Sequence, residues 1–289
     1  MNDLGAHVSA AGGVHQAPGR AAQLGSVVLQ LFTKQPNRWA ERELDAATID
    51  AWHAAIDQHG IRTTAAHDSY LINLGSPDAT LFARSRAAFQ RELERCAALD
   101  IEFLVTHPGN ATDGDRERAL RANADAIAEA LDAVPARTAV LLEITAGAGA
   151  ALGASFAELA RMLDRIGHAR SNRTGVCLDT CHLFAAGYDI VHAYDAVFAD
   201  CERTLGTDRV RLFHLNDSLA PLGSRRDRHA HIGFGQLGDA PFRRILTDPR
   251  FVAVPKLIET PKDDDALIAD RRNLERLRSL RSDVAPTRS

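Results

Sequence analysis

Short apolar runs that end in histidine, aspartate or glutamate recur along the chain. They are Thr64-Ala-Ala-His67, Phe103-Leu-Val-Thr-His107, Val140-Leu-Leu-Glu143, Val176-Cys-Leu-Asp179, Leu212-Phe-His214 and Leu257-Ile-Glu259. A run this short, apolar throughout, reads as a parallel strand covered on both faces. Successive runs lie about 35 to 45 residues apart, the span of a strand, a crossover helix and its loops. Two more strands precede them, Leu4 to Val8 and Val27 to Phe32, and the full run of the fifth extends from Ala139 to Ile144. The intervening stretches carry helical spacing: Leu120, Ala124, Ile127, Leu131 and Val134 alternate steps of four and three. Further helices are expected over about 13–23, 45–59, 77–99, 155–166 and 191–205, and a last one through Leu267, Leu274, Leu277 and Leu280. Asn216 to Gly238 reads as a long glycine-rich loop, and long loops in compact domains usually carry function. Eight strand–helix alternations without a linker predict an α/β fold, a single-domain (β/α)8 TIM barrel over residues 1–281, with a flexible tail over 282–289.

The bulk properties narrow the setting. A chain of 289 residues, 45% hydrophobic and 25% charged, is long enough to bury a large core. The formal net charge of −4 does not advertise a nucleic-acid binder, although bound divalent cations would reverse the sign locally. Cys96, Cys177, Cys181 and Cys201 form neither a disulfide ladder nor a Cys-x-x-Cys pair, which points to a reducing cytoplasm. The start has no basic and apolar leader pattern, and no later stretch approaches a membrane span.

The strand-end side chains carry the chemistry. In a parallel barrel, residues at the carboxyl ends of the strands all reach one mouth. One histidine or glutamate there is ordinarily a surface or hydrogen-bonded group. Six on consecutive strands point to metal coordination, because cations remove the cost of gathering buried carboxylates. The long loop adds Asp227 and His229, which flank Arg228 and can turn to the same side of an extended segment. With His182 they form an N/N/O set that zinc accepts with a position left open.

These residues fall in longer stretches with a family resemblance. They are Gly5-Ala-His-Val-Ser-Ala-Ala-Gly-Gly13, Leu31-Phe-Thr-Lys34, His67-Asp-Ser-Tyr-Leu-Ile-Asn-Leu-Gly75, His107-Pro-Gly109, Asp179-Thr-Cys-His-Leu-Phe-Ala-Ala-Gly-Tyr-Asp189, His214-Leu-Asn-Asp-Ser218, Gly223-Ser-Arg-Arg-Asp-Arg-His229 and Ile258-Glu-Thr260. Over nearly its whole length the chain resembles the endonuclease IV family of apurinic/apyrimidinic endonucleases. The resemblance implies a TIM barrel with three zinc ions. It assigns His67, His107 and Glu143 to the first, Glu143, Asp179, His214 and Glu259 to the second, and His182, Asp227 and His229 to the third, with Glu143 bridging the first two. Glu143, Asp179 and Glu259 are then the catalytic carboxylates. Such a cluster suits phosphodiester hydrolysis, activating water near neutral pH and neutralising the leaving oxygen. The implied substrate is double-stranded DNA with abasic sites, cut on their 5′ side to leave a 3′-hydroxyl and a 5′-deoxyribose phosphate, or with blocked 3′ ends. The implied protein is a monomeric cytoplasmic enzyme of base excision repair. Lys34, Arg38, Tyr70, Arg225, Arg226 and Arg228 are the expected DNA contacts, Tyr70 filling the abasic gap.

Four features depart from the family pattern. Ile144 and Ala148 stand where polar side chains are usual after the fifth strand, Phe234 where a glutamate is usual between two glycines, and Leu219 where a basic residue is usual. In Gln35-Pro-Asn-Arg38 the inserting arginine is displaced by one position. Two other readings compete. A sugar isomerase or epimerase of a related barrel also mounts His, Asp and Glu on strand ends, but has no use for the His182, Asp227 and His229 group. A weakly catalytic lesion-binding protein is disfavoured by the complete ligand set.

Overall fold

The computed structural model describes residues 3–40 and 42–282. Eight parallel strands close into a barrel: β1 (Leu4–His7), β2 (Val28–Phe32), β3 (Thr63–His67), β4 (Phe103–Thr106), β5 (Ala139–Glu143), β6 (Thr174–Asp179), β7 (Val210–His214) and β10 (Lys256–Ile258). They follow one another around the ring in chain order, and β1 pairs with β10 to close it. The short antiparallel pair β8 (Asp217–Ser218) and β9 (His229–Ala230) lies outside the ring.

Apolar side chains on both faces of each strand explain the layers. Inward-facing Val28, Ala65, Phe103, Val105, Ala139, Leu141, Cys177, Leu212 and Leu257 form one cluster inside the ring. The opposite faces pack against the helices in a larger cluster. The helices are α1 (Ala17–Gln23), α2 (Ala46–His59), α3 (Ala79–Ala98), α4 (Arg116–Ala133), α5 (Phe156–Ile166), α6 (Thr180–Ala186), α7 (Tyr194–Thr204), α8 (Ala240–Thr247) and α9 (Ala266–Ser282). Capping sets several starts: the side chains of Asp45, Asp78, Asp115 and Ser155 accept N–H groups of the first turns of α2, α3, α4 and α5.

The expected strands differ from these by two residues or fewer at either end. Four features depart more. The helix after β6 starts at once as α6, capped by Asp179 itself, before α7. The long loop contains the β8–β9 pair, and the unassigned stretch after it holds α8. The tail expected from Ser282 is helical at that residue, and 283–289 lie outside the described residues. No described helix is long and apolar enough to cross a membrane.

Candidate metal centre

The carboxyl ends of six barrel strands meet at the mouth, and their side chains sort into groups of metal-ligand geometry. In each group the nitrogen and oxygen atoms lie within 4.8 Å of one another: His67, His107 and Glu143; Glu143, Asp179, His214 and Glu259; and His182, Asp227 and His229. The nine side chains singled out in the sequence are therefore brought together, with Glu143 common to two groups. Asp179, Cys181 and His229 also fall within that distance. Burial pushes the Cys181 thiol up to about 12.

Hydrogen bonds aim the rings. The carbonyls of Asp68, Ile144 and Glu259 face Nδ1 of His67, His182 and His229 at 2.9, 2.9 and 3.1 Å. A carbonyl can only accept, so Nδ1 donates and Nε2 is the nitrogen turned toward the cluster, where a cation would replace its proton. Nε2 of His182 and of His229 is buried without a well-directed hydrogen bond and lies 3.2 Å from an Asp227 carboxylate oxygen, the third member of that group. His214 is turned the other way, with Nε2 2.9 Å from Gln30 Oε1 and Nδ1 3.1 Å from Glu143.

Electrostatics reinforce the arrangement. Burial alone would raise the Glu143 carboxyl, but His214 and His107 outweigh it and hold the group well below its usual range. Glu259 is likewise lowered against burial, mainly by His214. Burial opposes charge on His67, yet Glu143 raises it to about 9, and His229 reaches about 9 through Asp179 and Asp227. Cations entering here displace protons, so the site favours them more strongly as pH rises.

Backbone and amide groups supply the frame. Asp179 accepts the His182 N–H at 2.8 Å and the Asn216 amide at 2.6 Å, while the Asn216 side-chain oxygen accepts the Glu259 N–H at 2.8 Å. Gln30 also donates to Glu259 at 2.6 Å, and His7 lies 3.1 Å from the same carboxylate. His7 thereby stands at the mouth. Gln30 and Asn216 are the residues that the sequence reading missed. The one signal for Gln30 is an amide in the middle of the apolar run Val28-Leu-Gln-Leu-Phe32, wholly buried in the ring.

The expected DNA contacts divide. Tyr70 is 60% exposed on the mouth beside Phe32 and His67. Arg38, Arg225, Arg226 and Arg228 are exposed. Lys34 departs from expectation: its side chain is 4% exposed and its ammonium faces Glu92 at 3.7 Å, an inward direction that takes it away from a phosphate. The family departures are local. Ile144 serves His182 through its main-chain carbonyl, which any side chain supplies. Ala148 lines the mouth cleft, whereas Leu219 and Phe234 are exposed, with Arg276 5.3 Å over the Phe234 ring.

A protein of Chloroflexus aggregans named probable endonuclease 4 is 48% identical over 97% of this chain and 98% of its own length. The chain belongs to the endonuclease IV family. Residues 18–282 match the broader family described as xylose isomerase-like TIM barrel. The crystal structure of endonuclease IV from Thermus thermophilus superposes with a TM-score of 0.86 at 36% identity, covering 98% of this chain and 100% of that one. D-psicose 3-epimerase from Clostridium cellulolyticum H10 is 17% identical, with a TM-score of 0.70 over 97% of this chain and 98% of its own, a likeness of fold alone. In this endonuclease IV family member the first two candidate groups sit at the ends of barrel strands, and the third is assembled from α6 and the segment entering β9.

Proposed function

We propose that the protein is a zinc-dependent DNA repair endonuclease of base excision repair that hydrolyses the phosphodiester 5′ to abasic sites and trims blocked 3′ ends. The observation that carries this reading is the set of three ligand groups in one mouth, two of them sharing Glu143. The Chloroflexus relative is named a probable endonuclease, and we infer that an epimerase-type mouth would have no role for the group on His182, Asp227 and His229. The donors fit zinc, since each group offers borderline imidazole nitrogens and carboxylate oxygens. His67, His107 and Glu143 would hold one ion, Glu143, Asp179, His214 and Glu259 a second, and His182, Asp227 and His229 a third. When bound, zinc supplies charge for the phosphoryl and leaving oxygens and activates water near neutral pH.

The chain's own residues do the rest. Glu143 carries negative charge at any working pH and holds two ligand groups in register. Gln30 and Asn216 keep Glu259, His214 and Asp179 in fixed orientations. The cleft between the ligands and Tyr70 has a volume of about 300 Å3, the low end for a small-molecule site, which suits one extruded sugar-phosphate rather than a stretch of duplex. Asp227 is half exposed at its edge, so the third group is the one substrate meets from solvent. Arg38, Arg225, Arg226 and Arg228 would face phosphates of the flanking strands, the protein acting as a cytoplasmic monomer.

The decisive experiment offers a duplex with one synthetic abasic site to zinc-loaded protein, with and without chelator. A single cut on the 5′ side, lost with chelator and restored by zinc, is expected, along with about three zinc equivalents per chain by elemental analysis. An uncut duplex at full metal loading overturns the proposal.

A further inference from the structure

The connection between β2 and α2 stands on the mouth rim and is held more tightly than a surface loop requires. Arg38 N–H donates to the Gln35 carbonyl at 3.3 Å, closing a turn. Within the turn, Lys34 Nζ donates to the Arg38 carbonyl at 3.1 Å and faces Glu92 of α3, whose side chain is 1% exposed. Glu92 also accepts the Thr33 hydroxyl at 2.7 Å. Arg95, almost one turn further along α3, donates to the carbonyls of Thr33 and Arg42 at 2.5 and 2.8 Å, so α3 grips both stems of the loop. The Arg84 guanidinium lies 4.4 Å over the Trp39 ring, and the Ser69 hydroxyl donates to the Pro36 carbonyl at 2.5 Å, joining the loop to the segment that carries Tyr70.

Burying an ammonium and a carboxylate beneath a rim loop is costly, and loops without such ties are usually mobile. The ammonium is spent on one backbone carbonyl, that of the residue whose guanidinium is exposed. We infer that Lys34, Glu92 and Arg95 are positioning residues: they fix the backbone of the turn so that Arg38 is presented, ordered in advance, beside Tyr70 for a damaged duplex. The inference rests on the DNA reading above. Ordering the loop before binding removes an entropic cost from association, so its effect is on the recognition of damage rather than on the hydrolytic step.

The test uses the zinc-loaded full chain with a duplex bearing a tetrahydrofuran abasic site and its intact counterpart. Lys34→Met should raise KM for the abasic duplex about tenfold while changing kcat less than twofold, and Lys34→Arg should restore part of the loss. In an Arg38→Ala background, Lys34→Met should add nothing, because it acts through Arg38. Trp39 and Trp52 are the two tryptophans, and Trp52 is buried, so increased acrylamide quenching in Lys34→Met reports loosening at Trp39. Arg95→Gln, which frees both loop stems without touching Lys34, should reproduce the KM effect if Lys34→Met fails to fold. Wild-type discrimination retained by Lys34→Met or by Arg95→Gln overturns the inference, as do effects that add fully to those of Arg38→Ala. Wild-type protein that fails to distinguish the two duplexes instead overturns the functional reading, and quenching of Trp39 still reports whether the brace orders the loop.

Discussion

Glu143 concentrates the chemistry in a single side chain, since the first two ligand groups meet on it. Glu143→Gln keeps its shape but removes the charge and one good bridging oxygen. Single-turnover cleavage of abasic duplex should fall by roughly 1,000-fold or more, with binding changed far less, and near-normal cleavage would remove Glu143 from the reaction. Gln30 acts one step back, through His214 and Glu259. Gln30→Ala should weaken zinc affinity about 10–100-fold in a chelator competition, and an unchanged affinity would make it mere filling. These two residues differ in how legible they are. Glu143 ends an apolar run, and a charge at that register has one place to go, the mouth. Gln30 sits inside such a run, and its partners His7, His214 and Glu259 come from other strands, so only the closed ring reveals it. Lys34 shows the same limit: the sequence places a cation on the rim, but Glu92 on a later helix decides which way it points.

At the scale of elements, the β8–β9 pair carries His229 and is anchored by Asp217. That buried carboxylate accepts the N–H groups of Ser218, Gly233, Gly235 and Leu237 at 2.7 to 3.0 Å, folding the following segment back onto β8. Gly235 is required there, because a Cβ would collide with Asp217 Oδ1 and lie 2.5 Å from the Ser218 carbonyl oxygen. Asp217→Asn turns an amide N–H group toward donors and removes the charge. It should cost about 3 kcal/mol in urea unfolding, and a variant as stable as wild type would deny Asp217 this role. The sequence reads this region as a long functional loop, and its length and glycines justify that. Its ladder of two residues per strand is too short for any periodicity to show, and α8, eight residues long, gives little more. Six of the eight barrel strands are legible for the opposite reason: each is a short, mostly apolar run that ends at or beside a His, Asp or Glu of the mouth.

For the whole molecule, closure of the ring depends on β1 meeting β10, and a charge cluster on the floor secures that seam. Asp3 lies 2.9 Å from the wholly buried Lys256 ammonium and also pairs with Arg281 near the end of α9. Burial alone would raise the Asp3 carboxyl, but Arg281 and Lys256 outweigh it and hold it below its ordinary value of 3.8. A depressed folded-state value contributes stability that is complete above the unfolded value and is lost as pH falls through the folded one. The stability difference between wild type and Asp3→Asn should therefore be constant above about pH 5 and shrink progressively below about pH 4. A difference that stays flat down to about pH 2 would show that the seam does not rely on this charge. The same seam separates the order of the chain from the shape it makes. Because residues 3 and 281 touch on the floor, a short linker can join them there and a new break can be opened in the exposed turn near residues 112–114. Such a circular permutant keeps every strand neighbour and every side chain of the mouth, so the mouth depends on which strands lie side by side and not on the order in which the chain joins them.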